Sequence, residues 1–395
     1  MKKQITIIGG GPSAFLLAAF LDVEKFTISI YEKNKTAGRK FLVAGKGGFN
    51  LTYSEPIDRL IKCYSPNDFL DRALLNFTNT DFRNWLGEIG IPTYIGSSKR
   101  VFPEKGIKPI EVLNAVLESL KEKGIIIKYE HTFYDWDDAG HPIINKKIVP
   151  TDYTVFSLGG GSWKVTGSDG IWLDTFSKKG IKTKIFQASN CGYKIDWKSN
   201  FIQKHEGTPL KNIAISCNKI IQKGEAVITK FGLEGNAIYG LSQQIREQLN
   251  VISKATVFID FKPSLTLENV LSKIKKSIFK NTTQILKKEL KLSPSQIDLL
   301  KTYLSKESYL NIESLAKNIK KFPLELLETA SIDEAISTVG GIDLNAISKN
   351  FELKKMPNQF CIGEMLDWDA PTGGYLLQAS ASIGVFLAKY LNETN

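Results

Sequence analysis

The sequence predicts an α/β protein with a parallel, doubly wound sheet, its chain interrupted by an inserted β-barrel and an inserted helical subdomain. Three observations predict it. Residues 1–32 read as strand, glycine turn, helix, strand, acid. Gly363 to Tyr375, near the other end, is a second glycine-rich segment that follows a strand and opens a helix. Between them the texture changes, first to short β-like runs over 186–262 and then to lysine-rich amphipathic helix over 266–328.

The first element is the apolar run Ile5-Thr6-Ile7-Ile8, followed at once by Gly9-Gly10-Gly11-Pro12-Ser13-Ala14. Phe15 to Leu21 is rich in helix formers, and Phe26 to Tyr31 is β-rich and closed by Glu32. This is the G-x-G-x-x-G/A dinucleotide fingerprint in its required context. Gly9 allows the tight turn, Gly11 lets a pyrophosphate approach the backbone, and Ala14 lets helix pack on strand. The helix start at Pro12 and Ser13 turns free N–H groups and the positive dipole end toward the phosphates. Glu32, 18 residues after Ala14, can accept hydrogen bonds from the adenosine ribose. An acid there favours FAD or NAD over a 2′-phosphorylated nucleotide.

Lys33 to Lys40 is polar and loop-like, and Arg39 and Lys40 put cations near the diphosphate. Gly45-Lys46-Gly47-Gly48-Phe49-Asn50 is a second glycine-rich loop, suited to backbone approach to a flat ligand. Asn67 to Trp85 and Lys108 to Lys123 show helical apolar spacing, with Val101-Phe102-Pro103 expected in a loop between them. Strands are expected at Ile125–Glu130, Lys147–Val149 and Tyr153–Leu158, with a turn at Asp135–Gly140. This meander runs into Gly159-Gly160-Gly161, like the stretch that closes the FAD half-domain of two-dinucleotide-fold flavoproteins. Short strands around Asn212–Ser216, Ala226–Thr229 and Thr256–Asp260 suggest a small β-barrel or sandwich. Pro294 and Pro323 are read as helix starts. The expected domains are 1–185 with 335–395, a barrel at 186–262 with about 326–340, and a helical piece at 263–325.

The strand before Gly363-Glu364, and the Gly373-Gly374 pair at a helix start, suit a flavin. The Gly-acid pair would reach the ribityl chain. N–H groups at Gly373, Gly374 and Tyr375 would face the N1–C2=O edge, where negative charge accumulates on reduction. Asn50 is the candidate beside the isoalloxazine, and Tyr375, Asp367 and Lys46 are candidates for acid–base work.

The chain has 395 residues and a net charge of +11. That charge fits a polyanionic partner through the lysine-rich helical insert, and fits equally a lysine-biased composition with a solvated helix face. The four cysteines are scattered and the three histidines form no ligand pair, so no disulfide framework or zinc site is indicated. No 18-residue apolar run marks a membrane span, and the Met1-Lys2-Lys3 start lacks a signal-peptide cleavage pattern, so the expected location is cytoplasmic. No second G-x-G-x-x-G follows a strand, so either NAD(P)H visits as a transient reductant or another reductant or oxygen serves. The oligomeric state is not set by any pattern here.

Gly9-Gly10-Gly11, Gly38-Arg39-Lys40, Gly45 to Thr52, Gly232-Leu233-Glu234-Gly235 and Gly363-Glu364 through Asp367-Trp368-Asp369-Ala370-Pro371-Thr372-Gly373-Gly374-Tyr375 together resemble the BaiN/RdsA (YhiN-like) FAD-dependent flavoproteins. The resemblance spans nearly the whole chain. It implies FAD as cofactor and a Rossmann-like FAD-binding domain made from both chain ends. Relatives act in dihydrouridine formation in ribosomal RNA, steroid-acid desaturation and amine oxidation, so the substrate is a small molecule or RNA. A flavin-bearing RNA-binding protein without turnover is the non-enzymatic alternative. One departure matters. Many relatives carry Arg-Cys-Asn where this chain has Gly48-Phe49-Asn50, and a benzyl side chain has no exchangeable proton to replace a thiol's.

Overall fold

The structure, a computed structural model, describes residues 1–43 and 48–395. Its contacts divide the chain into two units, 1–188 with 332–395, and 189–331.

In the first unit Ile5, Thr6, Ile7 and Ile8 are all buried. Burial on both faces is what makes a central parallel strand, here Lys3–Ile8. It pairs in parallel with Phe26–Glu32 on one side and Tyr153–Phe156 on the other. Ile126–Tyr129 and Gln359–Cys361 extend the two edges, also in parallel. In chain order the sheet therefore reads 5-4-1-2-3. The winding reverses between Lys3–Ile8 and Tyr153–Phe156, which opens a crevice at their carboxyl ends. The helix after the glycine turn runs Pro12–Phe20, with Pro12 in its first turn, and packs on the closing helix Tyr375–Thr394.

Three local expectations are corrected in this unit. The helical stretch 67–85 is two helices, Asp71–Asn76 and Asn79–Glu88. They break at Thr78, whose hydroxyl and backbone N–H form a reciprocal capping box with Asp81. Val101-Phe102-Pro103 is not loop but lies in the strand Arg100–Pro103, central in a small antiparallel sheet with Thr52–Tyr53 and Thr93–Ile95. Asp135 and Trp136 end a strand, Phe133–Trp136, and the turn begins after them.

The second unit holds a six-stranded antiparallel sheet. Its longest hairpin joins Pro209–Cys217 to Ile220–Ile228 through Asn218-Lys219, both at positive φ, a two-residue turn whose twist matches the strands. The sheet curls and closes. Lys194 N–H donates to the Glu328 carbonyl at 2.9 Å, and Leu327 N–H donates to the Lys194 carbonyl at 3.0 Å. Pro323 does not start a helix. It lies in the strand Phe322–Leu326, where Phe322, Leu324 and Leu326 are buried and Pro323 and Glu325 exposed. This strand ends the ladder and the closing bonds run through Leu327 and Glu328 beyond it, so Pro323 keeps an edge position that tolerates a residue without an N–H. Five short helices span 267–320. Lys320, one of the lysines of the 266–328 stretch, is not a surface charge: it pairs with Asp260 at 2.6 Å and donates to the carbonyls of Lys262 and Leu265.

Candidate functional site

Three groups of sequence-predicted residues meet along the carboxyl edge of the parallel sheet. The first is the glycine turn. Gly9 has φ +104°, and a Cβ there would sit 2.2 Å from the Ser157 carbonyl oxygen, so only glycine lets the turn lie against the neighbouring strand's end. Gly11 differs, because a Cβ there would meet no protein atom within 4 Å. Its bare side faces open space over the helix start. Ala14 is fully buried beneath. Glu32, also buried, accepts from Gly10 N–H at 2.8 Å through Oε2 and from Asn34 N–H at 2.8 Å through Oε1. The acid thus fixes the turn from the end of the next strand; Oε1 also accepts from Asn34 Nδ2 at 2.7 Å, and Oε2 keeps a lone pair. Arg39 bonds the Asn34 side chain at 3.0 Å, and Lys33 pairs with Asp169 at 2.7 Å.

The second group sits across the crevice. Gly363 closes on the Pro12–Phe20 helix: a Cβ there would be 2.6 Å from Ser13 Oγ. Lys40 Nζ lies 2.7 Å from Glu364 Oε2 and donates to Ser162 Oγ at 2.8 Å. Gly160 packs on Thr338 and Glu364, and the Gly159 carbonyl accepts from Trp172 Nε1 at 3.1 Å.

The third group surrounds the head of the closing helix. Gly374 has φ +104° and lies against the Thr52 backbone, 2.5 Å from where its Cβ would be. The first-turn N–H groups of Tyr375, Leu376 and Leu377 have no acceptor among the described residues. Tyr375 stacks on Tyr53, ring centroids 5.0 Å apart. Its carbonyl accepts from the Tyr64 hydroxyl at 2.9 Å. Burial, then the neighbouring Cys63 thiol, push the Tyr375 phenol far above its ordinary range. Leu51 N–H donates to the Val101 carbonyl at 2.8 Å, which sets Asn50 beside this group. The Asn50 side chain makes no hydrogen bond among the described residues. Gly48 borders the Phe102 ring, and Phe49 is buried edge-on against Phe41.

Asp367 is held elsewhere, by Lys184 at 2.6 Å and Gly340 N–H at 3.0 Å, so its carboxylate is already committed. Gly45, Lys46 and Gly47 lie outside the described residues. Sequence reasoning missed Cys63, Tyr53 and Arg100. For Tyr53 and Arg100 the nearness to Tyr375 comes from the pairing of Thr52–Tyr53 with Arg100–Pro103 and its docking on the closing helix, and no local pattern signals either.

A parallel sheet wound 5-4-1-2-3, with a glycine turn, a ribose-side acid and further glycines gathered at its switch point, defines a dinucleotide-binding Rossmann protein. The chain belongs to the HI0933-like protein Rossmann domain family, whose profile matches residues 3–390. This agrees with the resemblance read from the motifs. It is 23% identical over 386 residues to a ribosomal RNA dihydrouridine synthase of Haemophilus influenzae, covering 94% of each chain. It is 24% identical over 413 residues to a 3-dehydro-bile acid delta(4,6)-reductase of Clostridium scindens, covering 99% of each. Among solved structures, a 3-ketosteroid delta1-dehydrogenase from Sterolibacterium denitrificans is similar at TM-score 0.48 and 11% identity, with 100% of both chains covered. Among the described residues no helix is long and apolar enough to cross a membrane.

Proposed function

We propose that this chain is an FAD-dependent oxidoreductase that passes hydride between flavin N5 and a substrate. The observation that carries the reading is the meeting of Gly363 with Ser13 and of Glu364 with Lys40, beside a Gly11 whose bare side faces open space. An extended dinucleotide needs such a cradle from both chain ends. Glu32 would accept from the adenosine ribose. The N–H groups at the Pro12–Phe20 helix start would hold the pyrophosphate. Lys40 and Glu364, with Gly159 and Gly160, would border the middle of the cofactor. Gly373, Gly374 and Tyr375 would present N–H groups to the N1–C2=O edge, with Asn50 beside the ring. Bound FAD supplies the redox chemistry, with NAD(P)H its transient reductant. Tyr375, with its phenol pushed so high, serves as a hydrogen-bonding group rather than as a base. The roles of Gly45, Lys46 and Gly47 rest on the sequence alone.

Two relatives whose names diverge, a ribosomal RNA dihydrouridine synthase and a bile acid reductase, frame the two substrate classes. Phe49, buried against Phe41, favours a small molecule, since it offers no proton. RNA is the second reading, favoured by charge. Residues 189–331 hold 22 Lys and Arg against 13 Asp and Glu, while the rest of the chain is nearly balanced at 30 against 28.

The test is reconstitution of purified protein with FAD, followed by visible absorbance and bleaching under a chemical reductant. A colourless protein that retains no FAD overturns the proposal. Mass-spectrometric nucleoside analysis of ribosomal RNA from cells with and without the gene decides the substrate class: loss of dihydrouridine identifies RNA.

A further inference from the structure

Arg100 is half-buried at the start of the strand Arg100–Pro103, directly across from Tyr53 in the antiparallel register. Its guanidinium has no hydrogen bond and no carboxylate partner among the described residues. Glu55, which lies near the same phenol, pairs with Lys99 at 3.4 Å. The nearest atom to a Cβ built on Gly373 is Arg100 Nε, at 3.3 Å. The missing side chain of Gly373 therefore leaves room for the guanidinium against the backbone leading into the closing helix. The same charge acts on the Tyr53 phenol, where it works against burial and Glu55. A partly buried arginine with no counter-charge, five donors and a place beside unpaired helix N–H groups is a cation awaiting an anionic oxygen.

We propose that Arg100 stabilises the negative charge that appears on the N1–C2=O edge of the flavin when N5 accepts hydride. This rests on the FAD reading above and names a residue that the reading did not include. The electron pair and proton of the hydride go to N5. The ring's excess negative charge would then lie at N1–C2=O, where the guanidinium and helix N–H groups would stabilise it together.

Sulfite tests this without any substrate, because its lone pair adds to flavin N5 and leaves the same negative charge at N1–C2=O. FAD-loaded wild type, Arg100→Gln and Arg100→Lys are titrated with sulfite, following loss of visible flavin absorbance. FAD content is measured separately, and midpoint potentials are taken on the same samples. The expected result is at least a tenfold loss of sulfite affinity in Arg100→Gln, about 1.4 kcal/mol, with a lower potential and full FAD content. Arg100→Lys keeps affinity within about threefold, since the charge remains. Unchanged affinity and potential in FAD-loaded Arg100→Gln overturns the inference and leaves the FAD reading standing, as does a wild-type flavin that does not react with sulfite. A wild type that retains no FAD overturns both. Where Arg100→Gln does not hold FAD, Arg100→Lys decides, and a tenfold loss there overturns the role of charge.

Discussion

The Tyr375 hydroxyl donates toward the Cys63 sulfur, whose own thiol donates to the Arg59 carbonyl at 3.7 Å. Burial pushes the Cys63 thiol above its ordinary range, and the hydrogen bond from the Tyr375 hydroxyl offsets part of that rise. The sign of a substitution follows. Tyr375→Phe removes the group that favours the thiolate, so the thiol rises further and less thiolate is present at any given pH. Alkylation of Cys63 by iodoacetamide should slow severalfold near neutral pH, and its pH profile should move to higher pH. Cys191, Cys217 and Cys361 are buried and serve as internal controls in the same peptide map. Faster labelling in Tyr375→Phe would show that the hydroxyl shields the sulfur rather than tuning it. Little of this pair was legible beforehand. Tyr375 stood out by its place after two glycines, but Cys63 sits in a segment with no motif, and tertiary packing alone makes them neighbours.

At the scale of elements, the most local parts were the most legible. Strand, turn, helix and Glu32 lie within one stretch, and each residue type there has a local reason. Pro323 misled because proline suits a helix start and an edge strand alike, and only the ladder decides between them. Two element contacts yield predictions. Gly384 lets the closing helix lie on Pro12–Phe20: a Cβ there would be 2.5 Å from the Ser13 carbonyl oxygen and 2.8 Å from Leu17 N. Alanine gains about 1 kcal/mol of helix propensity, but overpacking against backbone costs about 1–3 kcal/mol. The clash should win, and Gly384→Ala should lower the urea midpoint; a raised midpoint would mean that the two helices separate at little cost. In the second unit, Asp298 on helix Pro294–Tyr303 accepts from buried His205 at 2.9 Å and pairs with Lys204. Burial disfavours its charge, but hydrogen bonds from Lys204 and His205 outweigh this and hold its carboxyl below the usual range. Its stabilising contribution is therefore complete above the ordinary carboxylate pKa of about 4 and fades as pH falls through the lower folded value. Asp298→Asn should cost about 1–3 kcal/mol at neutral pH, and melting curves of the two proteins should converge in acid. A constant difference across that range would remove the charge from the explanation.

At the scale of the whole chain, the decisive feature is where the charge sits. The overall excess is +11, and residues 189–331 supply most of it. Within them, 273–291 hold seven lysines and one acid. Lys273, Lys276, Lys287 and Lys288 are exposed there and pair with no carboxylate among the described residues. Composition alone would spread such lysines evenly over both units, and the near-balance of the first unit argues against that. Binding to a single strand should release counterions, so the logarithm of affinity should fall with the logarithm of salt by about 0.7 per phosphate neutralised. Replacing those four lysines by glutamine in the full chain should reduce the salt slope for polyuridylate by about 3, with the melting temperature nearly unchanged because the side chains are solvated. FAD content should be unaffected, since none of the four lies in the unit that holds the glycine turn. An unchanged slope would mean that these lysines only solvate their helices, and would leave a small molecule as the substrate class that Phe49 already favours.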